Sequence, residues 1–68
     1  MKTKANKRWR LQIRFKDNND PHWFRTWDMM EDFKQLIICK KIAIQLIDDT
    51  VSKARIVDLI TQETIDLK

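Results

Sequence analysis

The residues from Asp28 to Asp49 constrain the fold most strongly, because they combine a helix start signal with a long apolar period. Glu31 follows Asp28 by three positions. This is the spacing of a capping box, in which both side chains accept hydrogen bonds from backbone N–H groups at a helix start. Apolar residues then recur at intervals of three and four, namely Phe33, Leu36, Ile37, Ala43, Ile44 and Ile47. Because such spacing aligns side chains on one helical face, the stretch predicts one long helix that packs on another element.

A second apolar strip lies roughly opposite the first and widens the apolar surface beyond what one sheet needs. It consists of Ile38, Cys39, Ile42 and Leu46. Either a loop or the end of the chain covers this strip, or Ile38, Ile42 and Leu46 form a homodimer or host-protein interface. A membrane-surface helix is disfavoured, since the polar residues are not gathered into one basic face.

The end of the helix is open to two interpretations. Lys40 interrupts the first apolar face and must either extend along its neighbours to water or mark a break. If the helix ends near Lys41 rather than near Asp49, the segment KIAIQLI forms a strand, because its β-branched residues alternate as in a strand.

The segment RWRLQIRFK, residues 8–16, shows the clearest two-residue alternation in the chain. Its apolar row comprises Trp9, Leu11, Ile13 and Phe15, and its polar row comprises Arg8, Arg10, Gln12, Arg14 and Lys16. Side chains of a strand point alternately to the two sides of a sheet. The segment therefore predicts a first strand that packs one row on the helix and leaves the basic row free to bind.

The remaining segments predict three further strands and the turns between them. DNNDP is a turn, and HWFRTWD, residues 22–28, is a second strand with Trp23 and Trp27 on one side, so that the two strands form an antiparallel hairpin. After the helix, DDTVS is a turn, KARIVDLI is a strand, and a short last strand runs from Thr64 to Leu67. The predicted fold is α+β: a small antiparallel sheet in the order β-β-α-β, with a fourth strand, packed on one long helix. Residues 1–7 form a flexible basic arm and residues 8–68 a single domain.

Composition disfavours an enzyme. The chain of 68 residues has no glycine, which the phosphate-binding loops of nucleotide enzymes require. A single cysteine, Cys39, and a single histidine, His22, can form neither a disulfide nor a four-ligand zinc site. We expect no catalytic residues, no metal and no cofactor. The first residues lack the apolar core of a signal peptide, and no apolar run reaches membrane-spanning length, so we expect a cytoplasmic protein without membrane contact.

The basic row supports a nucleic-acid hypothesis. Arg8, Arg10, Arg14 and Lys16 contribute to a formal net charge of +4, and residues two apart on a strand lie about 6.5 to 7 Å apart, a spacing compatible with successive phosphates. Gln12 can bond base edges, and Phe24 offers a stacking surface for bases of DNA or RNA. The alternative is that this row is the solvated face of a two-faced sheet.

The order of these segments also resembles small proteins encoded by phages and prophages of low-GC bacteria. The similarity lies in a basic aromatic first strand, a strand ending in Trp27 and Asp28, a helix, and then RIVDLITQETI. In those proteins a Thr-Gly-Glu turn follows the strand, and Gln62 stands at the glycine position here. The resemblance implies a phage accessory protein, including the anti-CRISPR and host-takeover kind, that acts in the cytoplasm of the host cell.

A second likeness is to the amino-terminal arm-binding domain of phage-type integrases, in which a basic sheet lies in the DNA major groove. RWRLQIRFKD is similar to the first strand of that domain, whereas the RIVDLITQETI segment after the helix departs from it. Two functions are therefore expected. The first is nucleic-acid contact through the basic strand face, and the alternative is a protein interaction module that inhibits a host enzyme through the apolar helix strip.

Overall fold

The structure is a computed structural model that describes residues 7–21 and 26–68. Within these residues the elements are β1 (Trp9–Phe15), β2 (Met29–Phe33), α1 (Leu36–Leu46), β3 (Val51–Asp58) and β4 (Thr64–Asp66). One helix and a four-stranded antiparallel sheet make this an α+β fold, as predicted. The predicted short fourth strand is confirmed at Thr64.

The sheet is built around β1. The strands lie in the order β2-β1-β3-β4, and every neighbouring pair is antiparallel. Because β2 and β3 both run opposite to β1, they run parallel to each other, and α1 connects them across one face of the sheet. That helix packs against β1 and β2. The first strand is therefore the inner strand on which the rest of the domain assembles.

The alternation predicted for β1 separates the two faces of the sheet. Leu11 and Ile13 are fully buried on the face that α1 covers, here called the helix face. They form the core with buried residues of β3 and α1, namely Val51, Ala54, Ile56, Cys39 and Ala43. The opposite side of the sheet, here called the open face, carries the alternate residues of each strand.

The predicted helix start at Asp28 is wrong. Residues Met29–Phe33 form strand β2, and the helix begins at Leu36 after the N-cap residue Gln35, whose side chain makes no cap hydrogen bond. Asp28 instead accepts hydrogen bonds from the Phe15 backbone N–H, at 2.8 Å, and from Asn18. The physical reason is that one edge of β1 requires a partner for its backbone groups, and pairing with β2 meets that requirement.

The second predicted strand is also misplaced. Thr26 and Trp27 belong to no helix or strand, and β2 begins at Met29, so the connection from β1 is longer than the expected DNNDP turn. Trp23 lies outside the described residues. Trp27 contacts Arg55, which faces away from the helix, so Trp27 is not part of the core between sheet and helix.

The structure settles the two interpretations of the helix end and corrects its phase. Since α1 continues to Leu46, all of KIAIQLI except its last residue, the C-cap Ile47, is helical rather than a strand. Cys39 and Ala43 are the buried residues of α1, and Leu36, Ile42 and the C-cap residue Ile47 pack against the core beside them. Two members of the predicted packing face, Ile37 and Ile44, are 61% and 74% exposed. The sequence contains more isoleucine than the helix can bury, so periodicity could not identify which strip packs inward.

Gln62 lies in the turn between β3 and β4, at the position where the phage and prophage proteins compared above have glycine. Gln62 has a φ of 70°, and it is the non-glycine residue with positive φ in the described chain. Its backbone N–H donates to the Asp58 carbonyl at 2.7 Å, and the Asp58 N–H donates to the Glu63 carbonyl at 2.8 Å. The hairpin therefore closes through a residue in the left-handed region. This conformation costs free energy for any residue that has a Cβ atom, as Gln62 does.

We predict that Gln62→Gly stabilises the domain. Relief of the left-handed strain, less the added entropy of the unfolded chain, should raise the free energy of unfolding by about 0.5 to 1 kcal/mol. Urea denaturation followed by tryptophan fluorescence measures the change. The control Glu63→Gly, at a neighbouring position without positive φ, should instead lower stability. A stabilisation of equal size in both variants would contradict the prediction.

Candidate functional site

The open face is defined by the strand registers. Its residues are Arg10, Gln12 and Arg14 of β1, Met30 and Asp32 of β2, Lys53, Arg55 and Val57 of β3, and Thr64 and Asp66 of β4. Most of the basic row predicted from the sequence thus lies on this face. The partners of each arginine differ, and they decide which positive charges are available to a ligand.

Arg10 is neutralised by its neighbour on β2. Its Nε and Nη2 atoms donate to the two carboxylate oxygens of Asp32 at 2.8 and 3.1 Å. These bonds raise the pKa of Arg10 and hold the pKa of Asp32 below its usual range. Because the pair is bidentate and its charges cancel, Arg10 contributes little net positive charge to the face.

Arg8 forms a similar pair with Asp58, the last residue of β3. Its Nε and Nη2 atoms donate to the carboxylate of Asp58 at 2.9 and 2.7 Å, and its guanidinium lies 4.7 Å from the ring centre of Trp9. Asp58 is buried and also accepts from the backbone N–H of Ile60. These contacts hold the pKa of Asp58 well below its usual range. The geometry gives Arg8 a structural role in closing the β3–β4 turn.

Gln12 and Arg14 are buried, which differs from the expectation that the basic row is solvated and free. Gln12 accepts a hydrogen bond from Arg55 Nε at 2.7 Å. Arg14 Nη2 donates to the backbone carbonyls of Asn18, at 3.1 Å, and Asp20. The connection between β1 and β2 therefore folds over this end of the open face. Within the described residues, Arg14 Nη1 is buried without a hydrogen-bond partner, and the bonds of this guanidinium go to carbonyls rather than to a carboxylate.

A small pocket opens beside these buried groups. It has a volume of about 130 Å³ and is lined by Trp27, Lys53, Ala54, Arg55, Asp66 and Lys68. The Arg55 guanidinium lies 4.8 Å from the centre of the Trp27 ring, and Lys53 is the register partner of Arg14. Three cationic side chains thus line the pocket with one carboxylate, and one of them, Lys68, donates from Nζ to the Asp48 backbone carbonyl at 2.7 Å. We call Arg14, Lys53, Arg55 and Lys68 the cationic cluster.

Sequence reasoning missed Lys53, Arg55, Lys68 and Trp27 as site residues. The alternation of β3 was a usable signal, because it places Lys53 and Arg55 on one side of a strand. What no local pattern states is that β3 lies beside β1, which brings those two residues next to Arg14 and Gln12.

Lys16, another predicted nucleic-acid contact, lies away from this pocket. Lys16 lines a separate cavity of about 450 Å³, together with Phe15, Asp17, Asp49 and Thr50. Two carboxylates share that cavity with the lysine, so its lining has no positive excess. Phe24 lies outside the described residues.

The predicted protein interface on α1 is partly available. Ile42 packs against the core, whereas Ile38 and Leu46 are exposed. The most exposed apolar residues of the helix are Ile37 and Ile44, which the sequence pattern had assigned to the packed side. Of the three residues named from the sequence, two are exposed and one packs against the core, and the most exposed apolar residues of the helix were not among them.

Cys39 behaves as a core residue. It is fully buried, and burial, with smaller contributions from Asp32 and Glu31, raises the pKa of its thiol to about 11. A thiol with such a pKa stays protonated at neutral pH and is a poor nucleophile. Across residues 7–21 and 26–68, no three His, Cys, Asp or Glu side chains form a group that could hold a metal ion. Within the same residues, no helix has the length and apolar character needed to cross a membrane.

The Arg8–Asp58 pair predicts a pH dependence of stability. An unfolded aspartate titrates near a pKa of about 3.9, and the folded value of Asp58 is lower. The unfolded state therefore binds the proton more readily, so this contribution is present above about pH 4 and is lost as the pH falls below it. Asp58→Asn should lower stability at pH 7 and flatten the loss between pH 5 and pH 2, as measured by urea denaturation at each pH.

The control for this experiment is Asp49→Asn, at an exposed carboxylate in the turn after α1. It should leave both stability and its pH dependence close to the wild type, because exposed substitutions usually change stability by less than about 0.5 kcal/mol. An unchanged acid slope in Asp58→Asn would show that other carboxylates dominate acid unfolding.

Comparison with known proteins identifies no relative. No protein-family model matches the chain, and the searches of curated proteins and of solved structures returned no match. The resemblance to phage and prophage proteins thus stays a prediction from the sequence. The function proposed below depends on the geometry of the open face.

Proposed function

We propose that this protein is a small non-enzymatic accessory protein that contacts nucleic acid through the cationic cluster of the open face. The observation that carries the proposal is the pocket in which Lys53, Arg55 and Lys68 converge beside Trp27, with Asp66 as the one carboxylate of the lining. Cationic side chains next to an aromatic ring are the combination that holds a nucleic-acid backbone and its bases.

The partners of the arginines favour this cluster over the basic row as a whole. Arg8 and Arg10 each form two hydrogen bonds to a carboxylate, so a phosphate would have to compete with Asp58 or Asp32. Among the described residues Arg14 has no such carboxylate bond, and it lies next to Lys53 on the neighbouring strand. We therefore expect the positive potential of the open face to be highest where Arg14 of β1 lies beside Lys53 of β3, near Trp27.

The number of cations in the pocket lining sets an upper limit on the expected strength of binding. If Lys53, Arg55 and Lys68 each neutralise one phosphate, the logarithm of the binding constant should fall with the logarithm of salt concentration with a slope of about −2 for a single strand and about −3 for a duplex. Contacts of this number give salt-sensitive binding of modest affinity, which suits an accessory protein that acts within a larger nucleic-acid-handling system. A phage setting, including anti-CRISPR or host-takeover activity in the host cytoplasm, is part of this proposal through the sequence resemblance.

Charge reversal at Lys53 and Lys68 tests the proposal. The double variant Lys53→Glu with Lys68→Glu should weaken binding of a labelled 12-nucleotide strand at least tenfold at low salt, because both phosphate contacts become repulsive. Fluorescence anisotropy measures the affinity. Both side chains are exposed, so the fold should persist.

The matched control is Lys40→Glu with Lys41→Glu on exposed positions of α1. This variant has the same net charge as the first, but its changes lie on the helix. It should retain most of the binding. Equal losses in the two variants would show that net charge rather than the cationic cluster determines binding, and no binding by the wild type would overturn the proposal.

The exposed isoleucines of α1 favour the protein-interaction alternative as a second function. Ile37, Ile38 and Ile44 leave a substantial apolar area on the side of the helix that does not face the sheet. Large exposed apolar side chains on a small domain are typical of a protein interface. A homodimer or a host enzyme bound through this side of α1, with inhibition as the outcome, is compatible with nucleic-acid contact on the open face.

Self-association gives the direct test of this alternative. Ile38→Glu with Ile44→Glu should convert a homodimer into a monomer in size-exclusion chromatography with light scattering, because burying two carboxylates in an apolar interface is costly. Ile42 is unsuitable for this test because it packs against the core. The control Ile60→Glu, at an exposed residue of the β3–β4 turn, should leave the assembly unchanged. A dimer that persists in the double variant would exclude this surface as its interface.

A further inference from the structure

We infer that the outward side of α1 binds an acidic, apolar helix of another protein, and that its lysines disfavour a second copy of this chain. This inference rests on the protein-interaction alternative proposed above and names the chemistry of the partner. It is carried by the exposed side chains of the helix, by the positive charges among them and by the availability of those charges.

The outward side of α1 has a lysine at the centre of its exposed isoleucines. Ile37, Ile38 and Ile44 are 61%, 42% and 74% exposed, and Lys41 is exposed between them. Residues three and four positions apart are neighbours on a helix, so all three isoleucines adjoin Lys41. The two buried residues of α1 are each two positions from Lys41, and at about 100° per residue they lie about 160° around the helix from it. Lys41 therefore points away from the sheet.

The lysines near this side are available to a partner. Within the described residues, the ammonium groups of Lys34, Lys40 and Lys41 have no hydrogen-bond or ion-pair partner. No aspartate or glutamate occurs in α1. The carboxylates that precede and follow it most closely, Asp32 and Asp48, accept hydrogen bonds from other residues. The positive charge of the outward side is therefore not neutralised within the described part of the domain.

A second copy of this chain is a poor partner for this surface. In a two-fold symmetric interface the same residues meet from both copies. An axis through the middle of the exposed isoleucines would bring the Lys41 side chains of the two copies together, with Lys40 beside them. An ammonium group that is buried among apolar side chains without a counter-charge is strongly unfavourable. The formal net charge of +4 adds repulsion between whole copies. The surface thus favours a different protein.

Helix geometry identifies the kind of surface that fits. Helices pack through ridges of side chains that are three and four positions apart. One such row runs from Ile38 through Lys41 to Ile44, and the other runs from Ile37 through Lys41 to Gln45. The 11 residues of α1 make a rod about 16 Å long. A partner helix of similar length covers this side when it has a carboxylate opposite Lys41 and apolar side chains around that carboxylate.

The lysine supplies specificity, and the isoleucines supply most of the affinity. Charges beside the apolar seam of two helices decide which helices pair, because like charges repel and opposite charges attract. A charge that loses its partner in a buried interface weakens binding strongly, since it is left without compensation. A partner without a carboxylate at this position would therefore bind much more weakly.

A membrane fits the outward side less well than a protein. Helices that lie in a membrane surface bury an apolar face and keep their lysines on the polar face. In α1, Lys41 lies among the exposed isoleucines, so the two kinds of side chain are not separated.

The experiment uses a charge-reversed copy of this chain as the acidic, apolar helix. In Lys40→Glu with Lys41→Glu the isoleucines keep their positions, and two carboxylates replace the ammonium groups. Both positions are exposed, so the fold should persist, which circular dichroism verifies. Sedimentation equilibrium at low salt compares the wild type, the variant and their equimolar mixture. The mixture should form a heterodimer at least tenfold tighter than either homodimer, because only there do opposite charges meet across the isoleucines.

Two further variants separate local charge from net charge and from apolar contact. The matched control Lys53→Glu with Lys68→Glu has the same net charge as the first variant, but its α1 is unchanged. Mixed with the wild type, it should associate no more than the wild type does alone. Ile37→Ser with Ile44→Ser in the wild-type chain should weaken the heterodimer at least tenfold without a change of charge, because it removes apolar area from the interface.

The outcomes separate the inference from the protein-interaction function. A heterodimer that forms only with the variant of α1 and that needs the isoleucines would support the inference. A wild-type homodimer that Ile37→Ser with Ile44→Ser dissociates would overturn it while the protein-interaction function stands. Association of the wild type with neither variant nor itself would overturn both.

Three other results would overturn the inference alone. Equal association with both charge-reversed variants would show that net charge suffices. A heterodimer that persists without the isoleucines would place the contact on another surface. Sedimentation of the wild type with phosphatidylglycerol vesicles, lost in the isoleucine variant, would assign the outward side of α1 to a membrane.

Discussion

The pairing of β1 on both of its edges is the constraint on which the rest of the structure depends. This strand pairs with β2 and β3 along most of its length and buries Leu11 and Ile13 under α1. A chain of 68 residues can build only one small core, so its apolar residues must be close to the centre of the sheet. Placing the most regular alternating segment at that centre meets this requirement. It also assigns the opposite residues of the same strand, Gln12 and Arg14, to the middle of the open face.

The sequence predicts the fold correctly in segments whose pattern fits one kind of element. The prediction fails in segments whose pattern fits both a helix and a strand. The alternation around Leu11 identifies β1, and the β-branched run around Ile56 identifies β3. In contrast, the segment from Asp28 to Phe33 carries both a capping signal and the composition of an edge strand. Pairing with β1 decides between them, and that pairing involves residues about twenty positions away. Local propensity is weaker than a row of backbone hydrogen bonds, so the helix begins only at Leu36.

The candidate site illustrates the same limit for charge. Counting arginines in β1 correctly locates a basic segment, but it does not show that Arg10 faces Asp32 or that Arg8 reaches Asp58. Those carboxylates come from elements 22 and 50 residues further along the chain. Arginine forms planar bidentate pairs with carboxylates, whereas lysine is a point charge on a flexible stem. The domain accordingly uses Arg8 and Arg10 to close its own structure, whereas Lys53 and Lys68 line the pocket together with Arg55.

The shape of the site and the stability of the domain are coupled through Arg14. Its hydrogen bonds to the carbonyls of Asn18 and Asp20 hold the β1–β2 connection against the open face, and the same connection leads to Trp27 above Arg55. Burying a guanidinium without a carboxylate partner costs free energy, which the surrounding packing must offset. Under the proposed function, a phosphate in the adjacent pocket reduces that cost, since it places a negative charge near the buried cation. A ligand that binds only the folded state stabilises it in proportion to its concentration. Under the proposed function, Arg14 thus couples the conformation of the β1–β2 connection to an anion in the pocket.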